Sequence, residues 1–268
     1  MSKYLVSLVA TAAALACGSA SAAIFKEFTV DETVIPGANV LSLANPTLKA
    51  GKLNGGYTEA LTITGPGTFA ASAFANFNAF LGTDGITAPT SLLNNLPAIG
   101  GYKIYAVFQA TGAITGPNTF ASNSNSFDLY LDYNSDTTGT VSNGTAAAVL
   151  AGNGEDIKLA SAGAALLSSA GTGNLNGPPG AFNIDFTDFT LTAFGKTLFV
   201  APDPFFLNVR VNGDYDGVTD SQTDPFTKFI TGDVSANFTV PEPGSLALVG
   251  LALLGAGVAS RRSASKKK

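Results

Sequence analysis

The sequence predicts an all-β protein: an antiparallel β-sandwich or jelly-roll-like domain over residues 24–239. It is flanked by an N-terminal signal peptide at 1–23 and a C-terminal segment with a hydrophobic helix at 240–268. Three observations predict this. Apolar and polar residues alternate in run after run, the period of half-buried strands. Glycine, proline and asparagine punctuate those runs as turn formers do. Only residues 157–169 have a helical pattern, and a weak one.

At the N-terminus, Lys3 supplies a positive start and residues 4–16 an apolar stretch. Ala20-Ser21-Ala22 or Ser21-Ala22-Ala23 then gives the small residues that a signal peptidase needs. The apolar stretch is shorter than the roughly 20 residues that span a bilayer. Cys17, after Ala14-Leu15-Ala16, is where a lipoprotein would be acylated. Such sites usually carry a larger aliphatic residue where Ala14 stands, so Cys17 is read as part of the apolar region.

The strands follow. Tyr57, Leu61 and Ile63 alternate with Thr58, Thr62 and Thr64; Tyr102, Ile104, Ala106 and Phe108 share one face. Phe127, Leu129, Leu131 and Tyr133 share another, with Asp128 and Asp132 turned away. Phe182, Ile184 and Phe186 alternate with Asn183, Asp185 and Thr187. The phase then slips to Phe189 and Leu191, which predicts a bulge or kink near Asp188. Leu207, Val209 and Val211 come next, then Val234, Ala236, Phe238 and Val240. Turns are expected at Asn54-Gly55-Gly56, Gly65-Pro66-Gly67, Gly116-Pro117-Asn118, Asn143-Gly144 and Gly177-Pro178-Pro179-Gly180. The 19 phenylalanines are read as core, among them Phe28, Phe74, Phe77, Phe80, Phe205 and Phe206. Tyr57, Tyr102, Tyr105, Tyr130 and Tyr133 are the better candidates for an exposed sugar-stacking row, because each keeps a polar edge.

Composition limits the chemistry. Residues 24–239 contain no cysteine, histidine or tryptophan, so no disulfide braces the domain. Histidine is the commonest general acid–base and zinc ligand, and its absence weighs against an enzyme. The 14 basic and 19 acidic residues of the chain fall to eight and 18 once Lys3, Glu242, Arg261, Arg262 and the three final lysines are set aside, a net charge of about −10. Nucleic acid is excluded as a partner, since phosphate binding needs clustered Lys and Arg. No cofactor is expected other than, at most, calcium. Its candidate ligands are Asn212, Asp214, Asp216 and Asp220, because Asn212-Gly213-Asp214-Tyr215-Asp216-Gly217 sets oxygens at loop positions 1, 3 and 5 and glycine at 6. Position 12 is Thr223, so the bidentate glutamate is missing. Asp132-Tyr133-Asn134-Ser135-Asp136 repeats the spacing with Thr137 in place of the glycine. Either loop is also explained as a solvated turn. Asp185, Asp188, Asp214 and Asp216 are the carboxylates available to a carbohydrate-active enzyme.

The C-terminus has three parts in fixed order: Val240-Pro241-Glu242-Pro243, an uncharged and mostly apolar stretch at 244–260, and a basic end of Arg261, Arg262, Lys266, Lys267 and Lys268. The apolar stretch is near the lower length limit for a spanning helix, and the basic residues after it would stay cytoplasmic. The prolines keep the first part extended and accessible. Together these features resemble the PEP-CTERM signal of Gram-negative bacteria. The resemblance implies processing by an exosortase, an integral-membrane enzyme that would recognise Val240, Pro241, Glu242 and Pro243. It also implies transient inner-membrane association through the helix, and a final place at the cell surface or in the extracellular matrix.

The body of the chain is similar to flocculation-associated PEP-CTERM proteins. The similarity lies in Phe25-Lys26-Glu27-Phe28-Thr29-Val30-Asp31-Glu32, Val34-Ile35-Pro36-Gly37, Lys52-Leu53-Asn54-Gly55-Gly56-Tyr57-Thr58-Glu59, Leu129-Tyr130-Leu131-Asp132, Gly154-Glu155-Asp156-Ile157-Lys158-Leu159-Ala160 and Pro204-Phe205-Phe206. Asp132-Tyr133 departs from the family's Asp-Pro. The resemblance implies a non-catalytic, adhesive role in floc or biofilm formation with exopolysaccharide as partner. A carbohydrate-binding module or a carboxylate-dependent carbohydrate-active enzyme are the alternatives.

Overall fold

The structure, a computed structural model, describes residues 25–239 apart from positions 40, 42, 44, 96–99, 117–118, 164–168, 174–179 and 223–224. The expected signal peptide, sorting motif and hydrophobic helix lie outside the described residues. Among the described residues no helix is long and apolar enough to cross a membrane.

Four long strands form the centre as consecutive hairpins: β3 (Lys52–Gly65), β4 (Thr68–Leu81), β5 (Lys103–Gly116) and β6 (Thr119–Asp132). Before them come β1 (Phe28–Asp31) and β2 (Thr47–Ala50). After them come the short β7 (Thr138–Thr140) and β8 (Val149–Ala151), then β9 (Ile157–Ala162), β10 (Ser169–Gly173), β11 (Gly180–Phe186), β12 (Thr190–Leu191), the helix α1 (Ala193–Leu198), β13 (Phe199–Ala201), β14 (Asn208–Asp214), β15 (Gly217–Asp220) and β16 (Thr227–Thr239).

The ladder runs β10-β11-β14-β16-β3-β4-β5-β6. It then closes, because β10 also pairs with β6, with Ala170 opposite Ala121. The lower half of β6 pairs with β9, with Leu129 opposite Ala160. Thus β9 and β10 behave as one interrupted strand in a ring of antiparallel strands. The predicted class, all-β and antiparallel, is the one observed. The two layers of the expected sandwich are joined at both edges, and ring neighbours follow one another in sequence. Alternation records which side chains face inward, not the order of strands.

The inward positions match the predicted runs. Leu53, Leu61, Phe77, Ile104, Ala106, Phe127, Leu129, Leu131, Phe186, Val209, Val211, Val234, Ala236 and Phe238 are all buried. One end of the ring is plugged by the small sheet β13-β1-β2 and α1. There Phe28 meets Phe80, Phe199, Phe205 and Phe238 at centroid distances of 5.1–6.3 Å. Outward positions include charged pairs across neighbouring strands, Arg210 with Asp185 and Lys158 with Asp128, and an aromatic row of Phe74, Tyr105 and Tyr130.

One part of the exterior is covered. The arm between β6 and β9, which carries β7 and β8, lies over β3 and β4. Gly144 N donates to Thr62 Oγ1 at 2.9 Å, and that hydroxyl is 2.6 Å from Thr227 Oγ1. A Cβ on Gly144 would stand 1.9 Å from the Ala70 carbonyl oxygen. Gly144→Ala is therefore expected to lift the arm and cost about 2 kcal/mol in denaturant unfolding. Gly154, with nothing within 4 Å of its Cβ position, should accept alanine with a change below about 0.5 kcal/mol.

Two local expectations are corrected and a third is narrowed. Residues 157–169 have a weak helical pattern in the sequence, but β9 occupies Ile157–Ala162, because β6 and β12 pair with its two edges. Asn54-Gly55-Gly56 is not a turn. It lies inside β3 at a register shift against β4, where a Cβ on Gly55 would be 1.9 Å from the Asn76 carbonyl oxygen. Of the bulge or kink expected near Asp188, the structure has the kink: β11 stops at Phe186, the chain bends at Thr187 and leaves the ring for β12. The expected turn at Gly177-Pro178-Pro179-Gly180 lies outside the described residues but for Gly180.

Candidate functional site

The predicted calcium ligands are divided by the strands that carry them. Asp214 ends β14 and Asp216 follows it in the turn to β15. Asp233 of β16 joins them, and one carboxylate oxygen from each lies within 4.8 Å of the others. All three are exposed, and Asp214 Oδ1 accepts the Asp233 backbone N–H at 2.9 Å. Asn212 and Asp220 have other partners: Asn212 Oδ1 accepts from Asn237 Nδ2 at 2.7 Å, and Asp220 is paired with Lys228 across β15 and β16. A 12-residue loop does not form, because Gly217–Asp220 pairs as a strand with β16. Asp233 lies 17 residues beyond Asp216 in sequence, so loop spacing gave no signal for it.

The second acidic loop is more enclosed. Asp132 is fully buried. Its Oδ1 accepts the backbone N–H groups of Ser135 at 2.6 Å and Asp136 at 3.3 Å, and its Oδ2 that of Thr137 at 3.0 Å. Asp132, Asp136 and Glu155 bring carboxylate oxygens within 4.8 Å of one another. Beside them Asp156 Oδ2 accepts from Tyr105 Oη at 2.6 Å and Thr137 Oγ1 at 2.7 Å. Burial pushes the Asp156 carboxyl above its ordinary range, against the lowering effect of those two bonds. Glu155 Oε1 and Asp156 Oδ1 are buried with no hydrogen-bond partner. Lys103 Nζ donates to the Ser135 carbonyl at 2.8 Å, which places one positive charge nearby. Converging carboxylates of this kind suit a hard divalent cation. Glu155 and Asp156 were not legible as partners of Asp132, since a whole arm of chain separates them.

The tyrosines do not form an exposed row. Tyr57, Tyr102 and Tyr105 are buried, Tyr105 is stacked on Tyr130 at 5.1 Å, and Tyr102 donates to the buried Glu32 carboxylate at 2.7 Å. Nor do Asp185, Asp188, Asp214 and Asp216 face one another across a cleft. Asp185 is held by Arg210, Asp188 accepts the Gly163 N–H at 2.9 Å, and Asp214 stands at the opposite end of the β11–β14 ladder from the β11 exit.

The ring interior holds a cavity of about 70 Å³. Its wall is apolar but for Glu59, Tyr57, Tyr215 and Ser122. Glu59 is 8% exposed, and burial pushes its carboxyl up to about 7. Burial also raises the Tyr57 and Tyr215 phenols well above their ordinary value, with the Glu59 charge as the second cause.

Comparison with known proteins gives one family match, to the PEP-CTERM protein-sorting motif at residues 239–263. This region contains Pro241, Glu242 and Pro243 and lies, but for Thr239, outside the described residues. No curated protein matches the chain. Among solved structures, the crystal structure of Ail, the attachment invasion locus protein of Yersinia pestis, is similar at 9% identity with a TM-score of 0.16, covering 70% of this chain and 95% of that one. Likeness at that level carries no argument about function.

Proposed function

Taking as premise that this is an exported PEP-CTERM protein processed by an exosortase, we propose that its barrel works outside the cell as a non-catalytic adhesive component of a polysaccharide matrix, in floc or biofilm formation. The observation that favours this reading is the acidic surface: Asp214, Asp216 and Asp233 converge in the open, and Asp136 is exposed at the rim of the more enclosed group with Asp132 and Glu155. Such a surface repels anionic polymers unless a divalent cation bridges the two. Calcium therefore enters this reading as the bridge, and extracellular polysaccharide as the partner. The surface location also fits transient membrane association through the C-terminal segment, followed by release or attachment outside.

A deletion strain is the test. Loss of the gene is expected to slow floc settling severalfold. The wild-type copy should restore settling, and a copy carrying Asp214→Asn, Asp216→Asn and Asp233→Asn should restore it only in part. Normal flocs in the deletion strain would overturn the adhesive role. Full rescue by the triple variant would remove that cluster from it.

A further inference from the structure

A ring of eight strands is just wide enough to be filled by its own side chains or to hold one small ligand. Here the filling is incomplete on one side. β4 and β5 line the cavity with Ala71, Ala73, Ala75, Ala106 and Ala110. Ala73 sits directly opposite Glu59 in the β3–β4 register, so no bulky neighbour covers the carboxyl from that strand. Burial is the only cause acting on Glu59; no hydrogen bond and no basic residue offsets it. No lysine or arginine lines the cavity among the described residues. An ionisable group in such a position is expensive unless something pairs with it. The other two buried acids are paired: Glu32 has Tyr102 and the Leu92 N–H, and Asp132 has the backbone N–H groups of Ser135 and Thr137.

We infer that the barrel interior is a binding site for a small primary amine, with its ammonium group on Glu59 and its apolar body against the alanine wall. The chemistry selects that class. The carboxylate repels acids, and an ammonium supplies the missing opposite charge and donors. The Tyr57 hydroxyl already donates to the Asp214 carbonyl at 2.9 Å, which leaves its oxygen free to accept from the ligand. Phe69 and Phe120 meet edge to face at 5.6 Å in the same wall, and aromatic faces attract cations. The volume sets the size. At about 70 Å³ the cavity has roughly half of the ~150 Å³ that accommodates benzene elsewhere, so the body is a short alkyl group such as ethyl. This site does not depend on the adhesive reading of the exterior.

The experiment is isothermal titration of purified full-length protein with ethylamine and with ethanol, at about pH 8.5, where a group of this kind is ionised. It is paired with ¹³C NMR of the glutamate carboxyl carbons, with Glu59 assigned by its loss in Glu59→Gln. Ethylamine is expected to bind, to lower the apparent pKa of Glu59, and to lose at least roughly tenfold in affinity in Glu59→Gln. Ethanol is expected to bind more weakly and to leave the Glu59 carboxyl shift unchanged. Ala73→Leu, which fills the space opposite the carboxyl, is expected to abolish amine binding. Equal binding of alcohol and amine, amine affinity unchanged in Glu59→Gln, or no binding at millimolar concentration each overturns the inference, and the Glu59→Gln arm stands even if Ala73→Leu fails to fold.

Discussion

Replacing Phe238 by alanine is expected to lower stability by about 4 kcal/mol, the middle of the range for a phenylalanine removed from a core. Phe238 is 1% exposed, and its ring lies 5.0–6.4 Å from those of Phe28, Phe189, Phe199, Phe205 and Phe206. These rings come from β1 and from the 189–206 segment, so the cavity left behind is walled by two separate pieces of chain besides β16 itself. Phe28 and Phe199 are held by the pairing of β1 with β13 and cannot collapse into it without leaving that pairing. Denaturant unfolding of the purified variant measures the loss. A cost near 1 kcal/mol would mean that the plug is loosely packed. Phe226, which is 62% exposed, serves as the control, and its alanine variant should change stability far less.

The second large effect is a pH dependence traced to one carboxyl. Glu59 titrates near 7 in the folded barrel against an ordinary 4.5, because burial penalises its charge. Between those values the folded chain keeps a proton that the unfolded chain has released. Stability from this group is thus fully present below about 4.5 and is lost as pH rises through about 7. The difference corresponds to about 3 kcal/mol. Glu59→Gln removes the titration, so the variant should be more stable than the parent at pH 8 by up to that amount and nearly equal to it at pH 4.5. Subtracting the two curves cancels the other acids, including Asp84, whose carboxyl is held down to about 2 by its bonds to Thr87 and Ile86. Parallel curves for parent and variant would show that Glu59 is solvated.

Most of the ring was legible in the sequence. Phe127, Leu129 and Leu131, or Phe182, Ile184 and Phe186, each have one wet face and one dry face, and period two reports that directly. β4 was not legible as a strand. In Phe69-Ala70-Ala71-Ser72-Ala73-Phe74-Ala75 both faces are apolar or small, because the 138–151 arm dries the outer face as well. Alanine also disguised β9, whose alternation is weak and whose edges are both paired. The aspartates of the candidate cation sites were half legible. Asp214 with Asp216 and Asp132 with Asp136 are local spacings, whereas Asp233 and Glu155 arrive through strand pairing and an arm that no spacing encodes. Glu59 did carry a signal: it stands between Tyr57 and Leu61 on the apolar phase of its run, so period two turns it inward. What the run could not show is that no basic residue shares that interior.

β16 is both the last strand of the ring and the one that seals it, pairing with β14 on one side and β3 on the other. It ends at Thr239, and the residues for the processing enzyme begin at once with Val240. Fully stretched, the backbone from Thr239 to Glu242 reaches no more than about 10 Å. An enzyme that acts at this motif therefore meets a substrate with almost no leash, and the folded body must dock flush against it or be partly unzipped at its seam. Maturation and barrel closure thus draw on the same few residues of chain, and the order of the two events decides whether the barrel is already shut when it is processed.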